Sequence, residues 1–169
     1  MKGFLLKTVF TGIIFLFSQQ FLKAQCPFDN FNTGDLTPPG VGMTASTTGG
    51  GGDGWSVSVC AGAQYTATTC GTSAFDTHLT VFDAAGNVIG FNDDACGAQS
   101  TVTWTSTYTG TAWVFLDRWV SNGNDCSHTG TGQPISVTQN TACAATIPPS
   151  TCGSPTAVAC GTALTNQTT

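Results

Sequence analysis

The chain has 169 residues, room for one ordinary domain with some left over. It carries four basic residues against nine acidic ones, and only 8% of its residues are charged. So few cations cannot neutralise a run of phosphates, which excludes nucleic-acid binding and attraction to an anionic membrane surface.

The first 24 residues read as a signal peptide. Lys2 and Lys7 form a basic n-region, and Thr8 to Phe17 is an apolar stretch holding Val9, Phe10, Ile13, Ile14, Phe15, Leu16 and Phe17. Leu22-Lys23-Ala24 offers a cleavage site ending in Ala. The apolar stretch is shorter than the ~20 residues a bilayer span needs, which argues against a retained anchor and predicts no membrane insertion once the leader is gone. Gln25 before Cys26 argues against a lipoprotein. Cleavage removes Lys2, Lys7 and Lys23, leaving Arg118 as the one cation beside nine Asp and no Glu. Calcium, or a neutral surface such as a glycan, is compatible with that balance. Eight cysteines follow the leader: Cys26, Cys60, Cys70, Cys96, Cys126, Cys143, Cys152 and Cys160. An even count behind an export signal reads as disulfides, and no C-x-x-C pair supports a metal. Spacing alone leaves the connectivity open.

Residues 26–54 look irregular, with Pro27, Pro38 and Pro39 and one short strand expected at Val41 to Ser46. The run Gly49 to Gly54, interrupted by Asp53, reads as a flexible loop or wide turn. From Trp55 the pattern alternates, placing Trp55, Val57 and Val59 on one face. A hairpin-sized link, Cys60 to Ala63, leads to a strand at Gln64 to Thr69 with Tyr65 and Ala67 on one side. Thr77 to Asp83 is the next strand, with Leu79 and Val81 inward. Asp83 to Asn87 is a turn in which Gly86 supplies positive φ, and Val88 to Asn92 is the returning partner. Ser100 to Thr105 alternates, with Val102 and Trp104 inward. Tyr108 to Gly110 turns the chain, and Ala112 to Leu116 is a continuous apolar run suited to a central strand buried on both sides. Ser121 to Thr131 reads as a long polar loop, and Ile135 and Val137 mark a last strand. About eight short antiparallel strands result, spaced as in a sandwich or jelly roll. The domain is expected over 25–145, with a stiff linker at 146–151. Residues 152–169 are too short to fold alone and read as the start of a second repeat, cut off.

One stretch carries a set of spaced motifs. It comprises Tyr65 to Gly71, then Phe75-Asp76-Thr77-His78-Leu79 through Asp83, Gly86-Asn87-Val88-Ile89, Asn92-Asp93-Asp94-Ala95-Cys96-Gly97, and Ser100. This pattern resembles the bacterial pre-peptidase C-terminal domain family, in its cysteine-containing branch of exported multi-domain proteins. The resemblance covers roughly residues 55–140. It implies a disulfide-stapled β-sandwich of jelly-roll type with no catalysis of its own. It further implies an exported accessory or adhesive module of a larger secreted or cell-surface bacterial protein. A carbohydrate-binding domain is the alternative, as is the N-terminal part of a secreted peptidase or hydrolase whose catalytic domain lies beyond Thr169. Cys160-Gly161-Thr162 resembles the opening strand of another such repeat.

Within that pattern, the hairpin brings Asp76, Asp93 and Asp94 to one end of the sheet. Their mutual repulsion must be offset, either by backbone N–H groups in Asx-turns or by a calcium ion held on carboxylate and backbone oxygens. Cys70 and Cys96 lie at the same end and are expected to bridge. Enzyme signals are weak. Asp76-Thr77-His78 has only a superficial likeness to an aspartic-protease Asp-Thr-Gly, and no Gly-x-Ser-x-Gly, His-Glu-x-x-His or phosphate loop occurs. His78 reads as a surface or second-face residue, and His128 as a solvated loop residue. Of four tryptophans that would suit sugar stacking if exposed, Trp55 and Trp104 are in the core phase. Trp119 is the best exposed ligand-binding candidate, with half-buried packing the favoured reading for it.

Overall fold

The computed structural model describes residues 25–120 and 124–145. They form ten strands: β1 (Phe31–Asp35), β2 (Thr44–Gly49), β3 (Asp53–Val59), β4 (Gln64–Thr68), β5 (Thr77–Phe82), β6 (Val88–Asn92), β7 (Thr101–Thr105), β8 (Gly110–Val120), β9 (Asn124–Ser127) and β10 (Gln133–Gln139). No helix among the described residues is long and apolar enough to cross a membrane. The expected leader at 1–24, linker at 146–151 and second repeat at 152–169 lie outside the described residues.

The strands make two packed sheets. The larger runs β1-β3-β8-β5-β6, with β9 paired to the C-terminal part of β8, and the smaller runs β2-β10-β4-β7. Period-two alternation turns one face of each sheet toward the other. From the larger sheet come Trp55, Val57, Val59, Leu79, Val81, Ala112, Val114 and Leu116; from the smaller, Tyr65, Ala67, Val102, Trp104, Ile135 and Val137, all buried. Tyr65 stacks on Trp104 with ring centroids 5.5 Å apart. The turn at Asp83 has the expected form: its Oδ1 accepts from the Ala85 and Asn87 amides, and Gly86 has φ of 82°.

Four expectations are corrected. The strands number ten, because β1 and β9 lie in stretches that read as irregular or as loop. They are not all antiparallel, since β1 pairs with β3 in parallel. The short Cys60–Ala63 link is not a hairpin, because β3 and β4 belong to different sheets and the chain crosses between them there. The glycine run is a tight, largely buried turn rather than a flexible loop. A Cβ at Gly50 would overlap the Gly130 carbonyl, and one at Gly51 would overlap the carbonyls of Ser127 and Thr129. The run is glycine because two backbones meet there without side chains between them.

Among the described residues there are three disulfides, Cys26–Cys126 on the larger sheet and Cys60–Cys143 and Cys70–Cys96 beyond it, with sequence separations of 100, 83 and 26. In the chain-entropy picture, loops of these lengths each constrain the unfolded chain by about 3–5 kcal/mol.

Substituting Gly51→Ala is expected to cost about 1–3 kcal/mol, because the methyl group meets backbone that cannot rotate away. Urea unfolding checks this against Ser58→Ala on an exposed position, where a change within about 0.5 kcal/mol is expected.

Candidate functional site

The end of β6 and the entry to β5 form an acidic corner. Asp76 precedes β5, and Asp93 and Asp94 follow β6. One carboxylate oxygen from each lies within 4.8 Å of the others. The corner is held by buried hydroxyls. Ser100 Oγ lies 2.6 Å from the Thr77 carbonyl and 2.7 Å from the Asp93 carbonyl, and shares its hydrogen between them. The Ser100 amide donates to Thr69 Oγ1 and Thr77 Oγ1, each at 3.0 Å. The Thr and Ser of the sequence pattern, Thr77 and Ser100, are therefore part of the joint between the two sheets. Cys70–Cys96 closes the same end. Burial raises the Asp76 carboxyl above its ordinary value, Asp94 raises it further, and the Arg118 guanidinium offsets part of this. The chemistry fits a hard cation that takes oxygen ligands, such as calcium.

Trp119 belongs to the same end, since its amide donates to the Asp76 carbonyl at 3.0 Å. Its side chain is half-buried rather than exposed. Trp55 and Trp104 sit in the core at 4% and 5% exposure. Trp113 is half-buried and edge-on to Phe28.

A second polar group went unseen in the sequence. Both histidines of the chain and two of its aspartates gather on the outer face of the larger sheet. His78 lies on the second face of β5, opposite Leu79, where it is buried and directly across from Asp117 in the β5–β8 register. Its ring stacks on Phe91. His128 is not a solvated loop residue: its Nε2 lies 3.4 Å from Asp29 and 3.5 Å from Asp117. Asp117 is fully buried, which pushes its carboxyl up to about 7. His128 and Asn30 pull it down, and Asp29 pushes it up. Asn30 assists weakly, because its amide hydrogens are directed at the Asp53 and Leu116 carbonyls, both at 3.1 Å. One signal was available: Asp117 shares the phase of Trp113 and Phe115 on a strand that reads as buried on both faces.

Residues 43–145, more than half of the chain, match a domain of unknown function, DUF8695. The chain belongs to that family. The DUF8695 match takes in both candidate groups except Asp29, which lies with β1 ahead of it. No curated protein matches the chain. Among solved structures the DUF8695 chain is similar to Aeromonas hydrophila PliG, a periplasmic lysozyme inhibitor of g-type lysozyme, at 15% identity and a TM-score of 0.41. That alignment covers 65% of this chain and 100% of the other.

The buried carboxyl of the DUF8695 domain sets a pH dependence. Folded Asp117 keeps its proton up to about pH 7, whereas an unfolded aspartate releases it near ~3.9. Between those values the folded chain binds the extra proton. The stability this confers is complete below the lower value and is lost as the pH rises through the upper one. Relative to Asp117→Asn, the native chain is expected to lose a few kcal/mol between pH 4 and about pH 7. Urea midpoints across that range check it, and parallel profiles would contradict it.

Proposed function

We propose that this DUF8695 domain is a non-catalytic exported module of a larger secreted or cell-surface bacterial protein, serving as an accessory or adhesive domain. Its sandwich is of the jelly-roll type of the pre-peptidase C-terminal domains. The observation that carries the reading is the set of three disulfides linking distant strands of one small sandwich. Such staples form in oxidising compartments and suit export behind the apolar leader. Mass spectrometry of the full chain expressed in a Gram-negative host tests this. Cleavage after Ala24 with all three bridges formed is expected; an intact leader or free thiols at these six cysteines would count against it.

Calcium is the ligand proposed for Asp76, Asp93 and Asp94. It would neutralise the corner and fix the β6–β7 connection. The melting temperature is expected to be higher in millimolar calcium than in chelator, and this difference is expected to vanish in the Asp93→Asn/Asp94→Asn variant. Equal melting temperatures in the native chain would sink the calcium assignment and leave export untouched.

The runner-up is carbohydrate binding, favoured by the place of Trp119 beside that corner. A glycan isotherm that weakens in Trp119→Ala supports it, and an unchanged isotherm removes it.

A further inference from the structure

The outer face of the smaller sheet carries hydroxyls in two rows, each running across all four strands. One row is Thr44, Thr138, Thr66 and Thr103; the other is Ser46, Ser136, Thr68 and Thr101. In the first row every hydroxyl is bonded to a neighbour's. In the second, Thr68 bonds Thr101 at 2.6 Å, but Ser46 Oγ and Ser136 Oγ bond no other group among the described residues. A groove of about 160 Å³, open to solvent, lies over these two serines and is walled by Thr68, Pro134 and Cys70.

The charge of the molecule avoids this sheet. β2, β4, β7 and β10 hold no Asp, Arg, Lys or His, although nine Asp stand elsewhere in the chain. We propose that the groove is a binding site for a neutral glycan, with one sugar ring seated over Ser46 and Ser136 and the glycan continuing along the row. The site does not depend on the export reading, and it is distinct from the corner beside Trp119, which belongs to β8 in the larger sheet.

The ligand class follows from what the groove offers. A charged ligand would give up hydration for hydroxyls with no opposite charge behind them. An apolar ligand would cover two serine hydroxyls and leave them without partners. A sugar hydroxyl both donates and accepts, as serine and threonine hydroxyls do, so each pair can bond in either sense. Pro134 and the Cys70–Cys96 bridge give the C–H face of a ring an apolar surface to rest on. Adjacent strands set the hydroxyls of a row about 4.8 Å apart, close to the length of one ring in an extended β-linked chain. A neutral peptide pairs its backbone with the edge of a sheet rather than with its face.

The groove is also held in shape before any ligand arrives. The Cys70 amide donates to Thr68 Oγ1 at 3.1 Å. Beneath the start of β10, the buried Gln133 donates from Nε2 to the Thr69 and Thr72 carbonyls, both at 3.0 Å. Fixed partners lower the ordering cost of binding.

NMR titration of the disulfide-intact full chain tests the site, with cellohexaose, laminarihexaose, chitohexaose and β-mannohexaose as probes. At least one sugar is expected to move the amide signals of Ser46, Thr68 and Ser136 and to leave that of Trp119 in place. In Ser46→Ala/Ser136→Ala the affinity for that sugar is expected to fall about tenfold. The melting temperature is expected to hold, because the two hydroxyls bond nothing in the fold. Ser46→Ala alone, on the edge strand, is expected to lose about threefold, and Trp119→Ala to bind as the native chain does. Silence from all four sugars would overturn the proposal, as would an affinity that survives both serine replacements. Signals that move only around Trp119, with binding lost in Trp119→Ala, would assign the sugar to that corner instead. An acetylated and amidated Gly-Thr-Gly-Thr-Gly-Thr peptide that shifts the groove signals while the sugars do not would overturn the ligand class.

Discussion

Strand β8 is buried on both faces, and that constraint organises the rest of the molecule. Its inner residues Ala112, Val114 and Leu116 are sealed against the smaller sheet, and its outer residues Phe115 and Asp117 are sealed as well. A strand in that position needs partners on both edges and cover on both faces. The edges are filled by β5 on one side and by β3, continued by β9, on the other. The inner cover is the second sheet. The outer cover has no sheet to supply it, so residues 25–30 and the segment after β9 do the work, stitched together by Cys26–Cys126. The glycine turn before β3 lets that segment lie flush.

The two outer faces solve the solvent problem in opposite ways. On the smaller sheet, hydroxyls stand in cross-strand rows. Thr44 bonds Thr138 at 2.7 Å, Thr66 bonds Thr103 at 2.8 Å, and Thr68 bonds Thr101 at 2.6 Å. These pairs satisfy each other, stiffen the strands and still face water, which is how a chain almost without lysine covers a sheet. On the larger sheet, the face carries aromatic rings and a buried carboxyl and must be shielded.

What was legible in the sequence is what period-two alternation encodes. The inward phase of Trp55, Val57 and Val59, of Tyr65 and Ala67, and of Val102 and Trp104 could be read residue by residue, as could the Asp83–Gly86 turn. The nearness of Asp76 to Asp93 and Asp94 followed from a local hairpin. The rest depends on long-range pairing. β1 is polar, contains Gly34, and is a strand because β3 pairs with it in parallel. β9 is three polar residues and a bridged cysteine held by the end of β8. The glycine run has the composition of a loose loop, yet close backbone packing demands the same residues. His128 meets Asp29 across 99 positions of chain, and no local pattern announces such a meeting.

The Cys26–Cys126 bridge also determines how the domain would respond to a pull applied at Gln25 and Ala145. Tension entering at Cys26 crosses the bond straight to Cys126 and never runs through β1 to β8. The shortest covalent path then follows β9 and β10 to the exit. At ~3.5 Å per residue that path extends to about 70 Å, whereas the same stretch of unbridged chain would reach about 420 Å. The sandwich can therefore yield by a short, bounded length and then stop. Most of its strands are shielded from the force by covalent bonds rather than by their own hydrogen bonds.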